Sequence, residues 1–367
     1  MVDLLVSNFN SEISIQSYKG IYKVHFVDNP FLSMEKLLNE KLCFIVDKNI
    51  SRIYKEDLRA IFNKSKILEI EANEYNKDLD RFSKYAASLA EMGVKRDWVL
   101  VALGGGIIQD ITCFLASTLF RGMKWYFFPT TLLAQADSCI GSKSSINVAG
   151  VKNLMGTFTP PNEIFLAVQF LKTLEFKDIL SGVGEMIKVH GIAGIKALTE
   201  ISNDYEGIIS HPEKMKQYIY NSLMIKKRII ELDEFDTGIR NVMNYGHTFG
   251  HAIESATDYG ISHGIAVTIG QDMACNYSYQ KGLISKESFD LANKLLLKNF
   301  GESRNVKISS ELFLSSIKKD KKNIDQQVAI IIPVNNKFEI EKKLVDADNE
   351  FIDFCQNYFL KTGFVLI

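Results

Sequence analysis

Forty-three basic residues against 44 acidic ones in a chain of 367 leave a formal net charge of -1, which excludes recruitment to nucleic acid or an anionic membrane by a global field. With 46% hydrophobic and 24% charged residues, the composition is that of an ordinary globular protein, and at roughly 100 to 200 residues per domain the length gives two cores. Five cysteines (Cys43, Cys113, Cys139, Cys275, Cys355) form no CxxC pair, which excludes a disulfide scaffold and reads as buried thiols in a reducing cytoplasm.

The opening segment MVDLLVSNFNSEIS has no basic region followed by an apolar core, and no stretch reaches the roughly 18 apolar residues of a membrane helix. The expected location is therefore the cytoplasm, with no membrane partner. From Leu42 to Ala167, β-rich runs at Cys43 to Val46, Trp98 to Leu103, Trp125 to Phe128 and Ile164 to Ala167 alternate with helix-like stretches such as Asp80 to Met92. That alternation predicts a doubly wound parallel sheet. After about Leu174 long helical periods take over, at Phe176 to Ile195, Pro212 to Leu232, His247 to Ala256, His263 to Lys281 and Lys286 to Asn299, with one strand signal at Val328 to Pro333. The expected fold is an α/β, Rossmann-like nucleotide-binding domain over 1–174 and a mostly α-helical metal- and substrate-binding domain over 175–367. Ligands of such sheets sit beyond the carboxyl ends of the strands, which directs attention to the cleft between the halves.

Five groups of residues suit chemistry. Leu103-Gly104-Gly105-Gly106-Ile107-Ile108-Gln109-Asp110 follows a strand and opens a helix, where glycines admit a phosphate to the backbone and the helix end offers N–H groups. The same run, lacking GxGxxG spacing, also fits a plain tight turn. Asp137-Ser138-Cys139-Ile140-Gly141-Ser142-Lys143 and Val151-Lys152-Asn153 read as Gly- and Ser-rich loops after a strand, where ligand loops belong. Glu185, with Lys188 at i+3 on an otherwise apolar stretch, reads either as a surface ion pair or as a buried carboxylate that wants a metal or cation. Three of the six histidines fall between His247 and His263. His247 and His251 share a helix face at i, i+4, and spacing leaves open whether they or a pair including His263 bind a metal. Glycines beside both suggest that something approaches the backbone closely. Scattered cations at Arg121, Lys143, Lys152, Lys226, Arg240, Lys321 and Lys322 would suit an anionic small molecule.

Together these motifs resemble the 3-dehydroquinate synthase family of sugar-phosphate cyclases. The resemblance runs from roughly Phe44 to Pro333. It is carried by Glu74-Tyr75-Asn76-Lys77, GGGIIQD, Phe120-Arg121-Gly122, the run Pro129 to Asp137, GVGEMIK, DEFDTGIRNVMNYGHTFGHAIE and Asp320-Lys321-Lys322, in that order. It implies a zinc or cobalt ion on Glu185, His247 and His263, with His251 contacting substrate phosphate and assisting proton transfer. It implies NAD held by Glu74 and Lys77, by Gly105, Gly106, Ile107 and Asp110 at the pyrophosphate, and by Thr130, Thr131, Lys152, Phe170 and Thr173. Substrate would meet Asp137, Lys143, Asn153, Lys188, Lys226, Arg240, Asn244, His251 and one of Lys321 or Lys322. The equivalent of Arg121 reaches the neighbouring subunit's phosphate site, which implies a homodimer.

The implied reaction converts 3-deoxy-arabino-heptulosonate 7-phosphate to 3-dehydroquinate and phosphate with no net oxidation, a lyase reaction. A divergent sugar-phosphate cyclase, a metal-dependent NAD-linked polyol dehydrogenase and a non-catalytic relative are the other readings. Three places depart from the family pattern: Gln109 replaces a glycine, Ser142 replaces the second glycine of Gly-Gly-Lys, and Val148-Ala149-Gly150-Val151 replaces a His-Pro pattern. Gln109 must then sit in ordinary φ/ψ or carry strain of about 1 to 3 kcal/mol.

Overall fold

In a computed structural model, which describes residues 9–318 and 327–367, the apolar runs read as strands become the middle of one sheet. The chain divides into two packed units, Asn8–Leu174 with Lys227–Phe235, and Glu175–Lys226 with Asp236–Ile367. The first contains strands β1 (Glu12–Ser17), β2 (Gly20–Phe26), β3 (Leu42–Asp47), β4 (Lys66–Ile70), β5 (Val99–Gly104), β6 (Lys124–Pro129), β7 (Lys143–Val148), β8 (Val151–Phe158) and β9 (Glu163–Leu166). Its helices are α1 (Pro30–Lys36), α2 (Lys48–Ile53), α3 (Lys55–Phe62), α4 (Leu79–Glu91) and α5 (Gly106–Thr118). Seven strands form one sheet in the order β1-β2-β9-β6-β5-β3-β4, in which β1 and β2 pair antiparallel and every other neighbour is parallel.

Alternate side chains of the central strands serve two faces. Phe44, Val46, Val101, Leu103, Tyr126 and Phe128 pack with Phe31 and Met34 of α1, Ile50 of α2, and Leu58 and Ile61 of α3. The intervening Cys43, Ile45, Leu100, Ala102, Trp125 and Phe127 are also buried, and α5 packs on β3, β5 and β6. Strands buried on both faces explain the continuous apolar runs that made this half legible.

Of the segments read as ligand loops, residues 137–142 form a π-helical turn and bends ahead of a strand, whereas Lys143 and Val151–Asn153 lie in a hairpin, where that reading is corrected. β7 and β8 pair antiparallel, with Val148 opposite Val151. Ala149 and Gly150 between them lie at φ 50° and 78°, the two left-handed residues of a type I′ turn, whose twist suits a two-residue hairpin. Thus Lys143 opens a strand, and Lys152 and Asn153 lie within one.

The second unit is built from α6 (Phe176–Ile192), α7 (Ile195–Ser210), α8 (Pro212–Leu232), α9 (His247–Ala256), α10 (His263–Gln280), α11 (Lys286–Lys298), α12 (Ser310–Lys318) and α13 (Asn349–Thr362), with the hairpin β10 (Gln327–Val334) and β11 (Glu339–Asp346). The residues of α8 from Lys227 onward belong to the first unit. From Gly264 to Cys275 every residue of α10 is buried, because α6, α9, α11, α13 and β10 surround it; a helix buried on every side is the expected centre of such a unit. No helix of the described residues is long and apolar enough to cross a membrane. All five cysteines are buried and unpaired with one another, and burial pushes the Cys43 and Cys113 thiols up to about 12.

Candidate active site

In the first unit the triple glycine closes β5 and opens α5, and each glycine has its own reason. A Cβ on Gly104 would lie 2.6 Å from Ile108 Cγ1 and one on Gly105 would lie 2.9 Å from Thr131 Cγ2, so packing of the turn excludes larger residues at both. A Cβ on Gly106 would meet nothing within 4 Å. Space therefore opens at the first turn of α5, where unpaired N–H groups and the positive helix end favour an anion. Ile107 is the next residue of that turn. Gln109 sits inside α5 without a positive φ, so the departure from glycine leaves no left-handed backbone strain.

Asp110 ties together many of the residues expected at the cofactor. Its Oδ2 lies 2.6 Å from Lys77 Nζ, and it accepts the Ser145 backbone N–H at 3.0 Å. Burial pushes the Asp110 carboxyl upward against the opposing pull of Lys77 and Ser145. Lys77 also donates to Asn153 Oδ1 at 2.9 Å. The Asn153 backbone N–H in turn reaches Asn147 Oδ1 at 3.0 Å, Asn147 donates to Glu74 Oε2 at 2.8 Å, and Lys152 lies 3.9 Å from Glu74. Glu74, Lys77, Asp110, Lys152 and Asn153 thus form one polar patch over the β7–β8 hairpin. Asn147 and Ser145 are the members that motif reading missed; the alternation of small polar and apolar residues along 143–148 was their signal.

Thr130 is buried, its N–H donating to the Gly104 carbonyl at 2.9 Å, and Thr131 follows it. Asp137 lies half-buried in a π-helical turn, Ala134–Ser138, a widening that recurs at functional sites. Lys143 is exposed at the start of β7, whereas Ser142 is buried. The Phe170 side chain, expected along the cofactor, is a fully buried core ring packed edge-on against Phe31 and Tyr54, so the ring is not open to a cofactor. Thr173 holds the same corner, 3.2 Å from the Tyr54 hydroxyl. Phe120 and Arg121 both occupy left-handed backbone, at φ 51° and 62°; such strain persists where the surroundings over-determine it and clusters at functional positions. Arg121 is exposed.

In the second unit, Glu185 and Lys188 stand on one face of α6, 3% or less exposed as side chains, with Lys188 Nζ 2.5 Å from Glu185 Oε2. The surface ion-pair reading is therefore excluded. His247 opens α9 and His263 opens α10. The ligating atoms of His247, His251 and His263 all lie within 4.8 Å of one another. Glu185 Oε1 adjoins this group at 3.6 Å from His263 Nε2. On its other side, His263 Nδ1 lies 3.2 Å from Glu254 Oε2, an arrangement that fixes the ring and directs Nε2 toward Glu185. Burial opposes charge on His263, but the Glu254 hydrogen bond and the nearby carboxylates outweigh it and raise its pKa. His247 Nδ1 faces the Tyr245 carbonyl at 3.3 Å. Imidazoles with an adjoining buried carboxylate are a donor set that suits zinc or cobalt. Glu254 escaped the sequence reading; seven residues after His247 and three after His251, it shares their helical face.

The glycines flanking these histidines are explained by helix packing. A Cβ on Gly246 would lie 2.6 Å from the Val267 carbonyl oxygen, and one on Gly250 would lie 3.0 Å from Val267 Cα. What approaches their backbone is α10. Across the α6–α10 contact, a Cβ on Gly264 would fall 1.8 Å from the Ser181 carbonyl oxygen and one on Gly184 would fall 2.3 Å from that of Gly264. Only hydrogens at these positions let α6, α9 and α10 close enough to bring Glu185 and the histidines together. Arg240 and Asn244 lie in the turn Ile239–Asn244, which packs on α6. Arg240 and, on α8, Lys226 are both buried. Lys321 and Lys322 lie outside the described residues.

Residues 67–181 match the 3-dehydroquinate synthase N-terminal family model and residues 182–323 the C-terminal one. A 3-dehydroquinate synthase of Clostridium tetani is 35% identical over 307 residues, spanning 83% of this chain and 82% of that relative. One of Alkaliphilus oremlandii is 32% identical over 325 residues, 87% of this chain and 90% of that one. A crystal structure of 2-deoxy-scyllo-inosose synthase, complexed with carbaglucose-6-phosphate, NAD+ and Co2+, superposes with a TM-score of 0.81 at 21% identity, over 94% of this chain and 98% of the other. At that identity the superposition establishes the fold. The two family models together span most of the chain, and the relatives match it across both units: the chain belongs to the 3-dehydroquinate synthase family.

Proposed function

We propose that this protein converts 3-deoxy-arabino-heptulosonate 7-phosphate to 3-dehydroquinate and inorganic phosphate. The observation that carries the reading is the convergence of His247, His251 and His263 beside the buried Glu185–Lys188 pair, in a chain whose relatives bear that activity in their names. When bound, NAD supplies a reversible hydride acceptor and a zinc or cobalt ion supplies Lewis acidity toward the substrate hydroxyls.

The chain's own residues then have separable tasks. Glu185, His247 and His263 hold the metal: the buried carboxylate offsets the ion's charge, and Glu254 orients His263. His251, the exposed member of the three, contacts the substrate phosphate together with Lys143 and Asn244, fixing the leaving group while one of its own oxygens takes the departing proton. Arg240 and Lys226, cations withheld from water, grip the substrate carboxylate, a task that suits a guanidinium fork. Asp137, Asn153 and Lys188 position the ring hydroxyls, and one of Lys321 or Lys322 completes the anion site. The first turn of α5 holds the dinucleotide pyrophosphate at Gly105, Gly106 and Ile107. Glu74, Lys77, Asp110, Thr130, Thr131, Lys152, the Phe170 backbone and Thr173 line the rest of the cofactor. The strained Arg121 reaches the phosphate site of a second copy, making the enzyme a homodimer. Five buried thiols with no disulfide among them support a reducing, cytoplasmic setting.

The test is phosphate release from 3-deoxy-arabino-heptulosonate 7-phosphate by metal-loaded protein with a catalytic amount of NAD, followed together with absorbance at about 340 nm, where reduced nicotinamide absorbs. Phosphate release with a dehydroquinate product and no accumulating NADH is the expected outcome. Turnover only of other heptulose phosphates would replace the substrate assignment with that of a divergent cyclase. Steady NADH accumulation would make the protein a dehydrogenase.

A further inference from the structure

Gln109 stands where the family pattern has glycine, and the structure gives its side chain a task. It is buried and makes a reciprocal pair with one residue: its Nε2 donates to the Ser138 carbonyl at 2.6 Å, and the Ser138 hydroxyl donates to its Oε1 at 2.7 Å. Both ends of the amide are thereby satisfied on a single partner, so the side chain has one orientation. The Gln109 backbone N–H donates to the Gly105 carbonyl at 3.0 Å, which joins the pair directly to the glycine turn at the head of α5.

Ser138 ends the π-helical turn Ala134–Ser138, whose wide bond runs from Cys139 N–H to the Ala134 carbonyl at 2.9 Å. The start of that turn has its own anchor. Gln135 Nε2 donates to the Pro129 carbonyl at 3.0 Å and to the Ala167 carbonyl at 2.9 Å, fixing it to the carboxyl ends of two strands. Asp137 thus lies between Gln135, tied to the sheet, and Ser138, tied to α5 through Gln109. A π-helical turn is a marginal geometry that needs such outside support. Removing the Gln109 amide would leave the half-buried Ser138 carbonyl and hydroxyl without this partner, and the turn would relax to recover those bonds elsewhere.

We infer that Gln109 is a positioning residue that locks the π-helical turn, and with it the Asp137 carboxylate, onto the glycine turn of α5. The inference rests on the proposed function only for what Asp137 does there. In a chain with glycine at this position the turn must be held by other means; here its placement is tied to the helix that opens the nucleotide site.

Two readouts test it, using the full chain with metal and NAD. In hydrogen exchange, Gln109→Ala should speed exchange of the amides of residues 134–139 by about tenfold or more while β3 and β5 keep their protection. In steady-state kinetics the same variant should lower kcat by about tenfold to a hundredfold, as expected for a misplaced site group, with the dissociation constant for NAD changed less than about threefold. Gln109→Glu supplies the control that a merely structural role would not pass. Its ionised carboxylate repels the Ser138 carbonyl, whereas the protonated form can donate to that carbonyl and still accept the hydroxyl, so its activity relative to wild type should recover as pH falls from 8 to 6. If wild type turns over and Gln109→Ala matches it in kcat, or loses only NAD affinity, the inference is overturned. If wild type does not turn over, the functional reading has failed, and the exchange experiment alone decides Gln109: unchanged exchange at 134–139 overturns the inference.

Discussion

A glycine can be required by a neighbour in the protein or by a ligand, and two kinds of substitution tell them apart. Gly264 and Gly106 are the contrasting cases. A Cβ at Gly264 collides with the Ser181 carbonyl, whereas one at Gly106 meets nothing. Gly106→Ala should therefore leave the melting temperature within a degree or two, a change of less than about 0.5 kcal/mol, while weakening NAD measurably in a fluorescence titration. Equal loss of stability and affinity would assign Gly106 to packing instead. The histidines separate in the same way. His263→Ala should lose bound metal and activity together, whereas His251→Ala should retain metal and lose turnover, as read by elemental analysis of dialysed protein. Metal that vanished with His251 and survived loss of His263 would reverse the ligand assignment. Glu254→Gln, which keeps a hydrogen-bonding side chain but not the charge facing His263, should weaken the metal by about 10- to 100-fold.

At the level of elements, the α6–α9–α10 seam is where sequence and site meet. Gly264→Ala should cost about 3 kcal/mol or more, because backbone and not a flexible side chain must move. It should also weaken metal binding, since the helices it separates carry Glu185 and His263. A chelator competition before and after the substitution checks the second part, and full metal affinity in a destabilised variant would uncouple seam from site. The seam also shows what a single sequence can and cannot disclose. The glycines around His247 and Glu185 announce a close approach but not the identity of what approaches, because a helix and a ligand make the same demand on a Cβ. The strands β3, β5 and β6 were legible because both of their faces are buried and their composition is uniformly apolar. The β7–β8 hairpin was not, since β8 is largely exposed along its length and its apolar residues do not alternate with polar ones as in a half-buried strand. β11, with charged residues through most of its middle, was hidden for the same reason. Gln109 could be seen as a departure in sequence, but its partner is 29 residues away and no local pattern connects them.

For the whole molecule, two buried titratable groups of the second unit make stability depend on pH in opposite senses. His190 has its Nδ1 on the Met186 carbonyl at 2.7 Å, and burial pushes its pKa down to about 4. The unfolded chain takes up a proton below about 6.5 that the folded one refuses, so the His190 contribution is complete above that pH and is lost as pH falls toward 4. Asp272 accepts from the Tyr358 hydroxyl at 2.7 Å and from Asn293 at 2.8 Å, yet burial still drives it up to about 6. Here the folded chain holds the proton longer, so stability is lost as pH rises from about 4 to 6. Each shift corresponds to roughly 3 kcal/mol at about 1.4 kcal/mol per pH unit, and between pH 4 and 6 the two offset. His190→Gln should expose the Asp272 limb, with stability falling as pH rises through that window. Asp272→Asn should expose the His190 limb, with stability falling as pH drops. Urea unfolding at pH 4.5, 5.5 and 7 would reveal either slope, and parallel profiles for both variants and wild type would remove these two groups as its source.

The buried cysteines give the protein a clock that needs no engineering. Cys43, Cys113 and Cys139 lie in the unit that carries the sheet, Cys275 and Cys355 in the helical one. A thiol shielded from solvent reacts with an alkylating reagent only while the surrounding structure is open. Native protein incubated with iodoacetamide and digested at intervals will therefore record, site by site, how often each half opens. Adding NAD or metal alone to the same incubation would slow the labelling of whichever half it holds closed, mapping each cofactor to its unit.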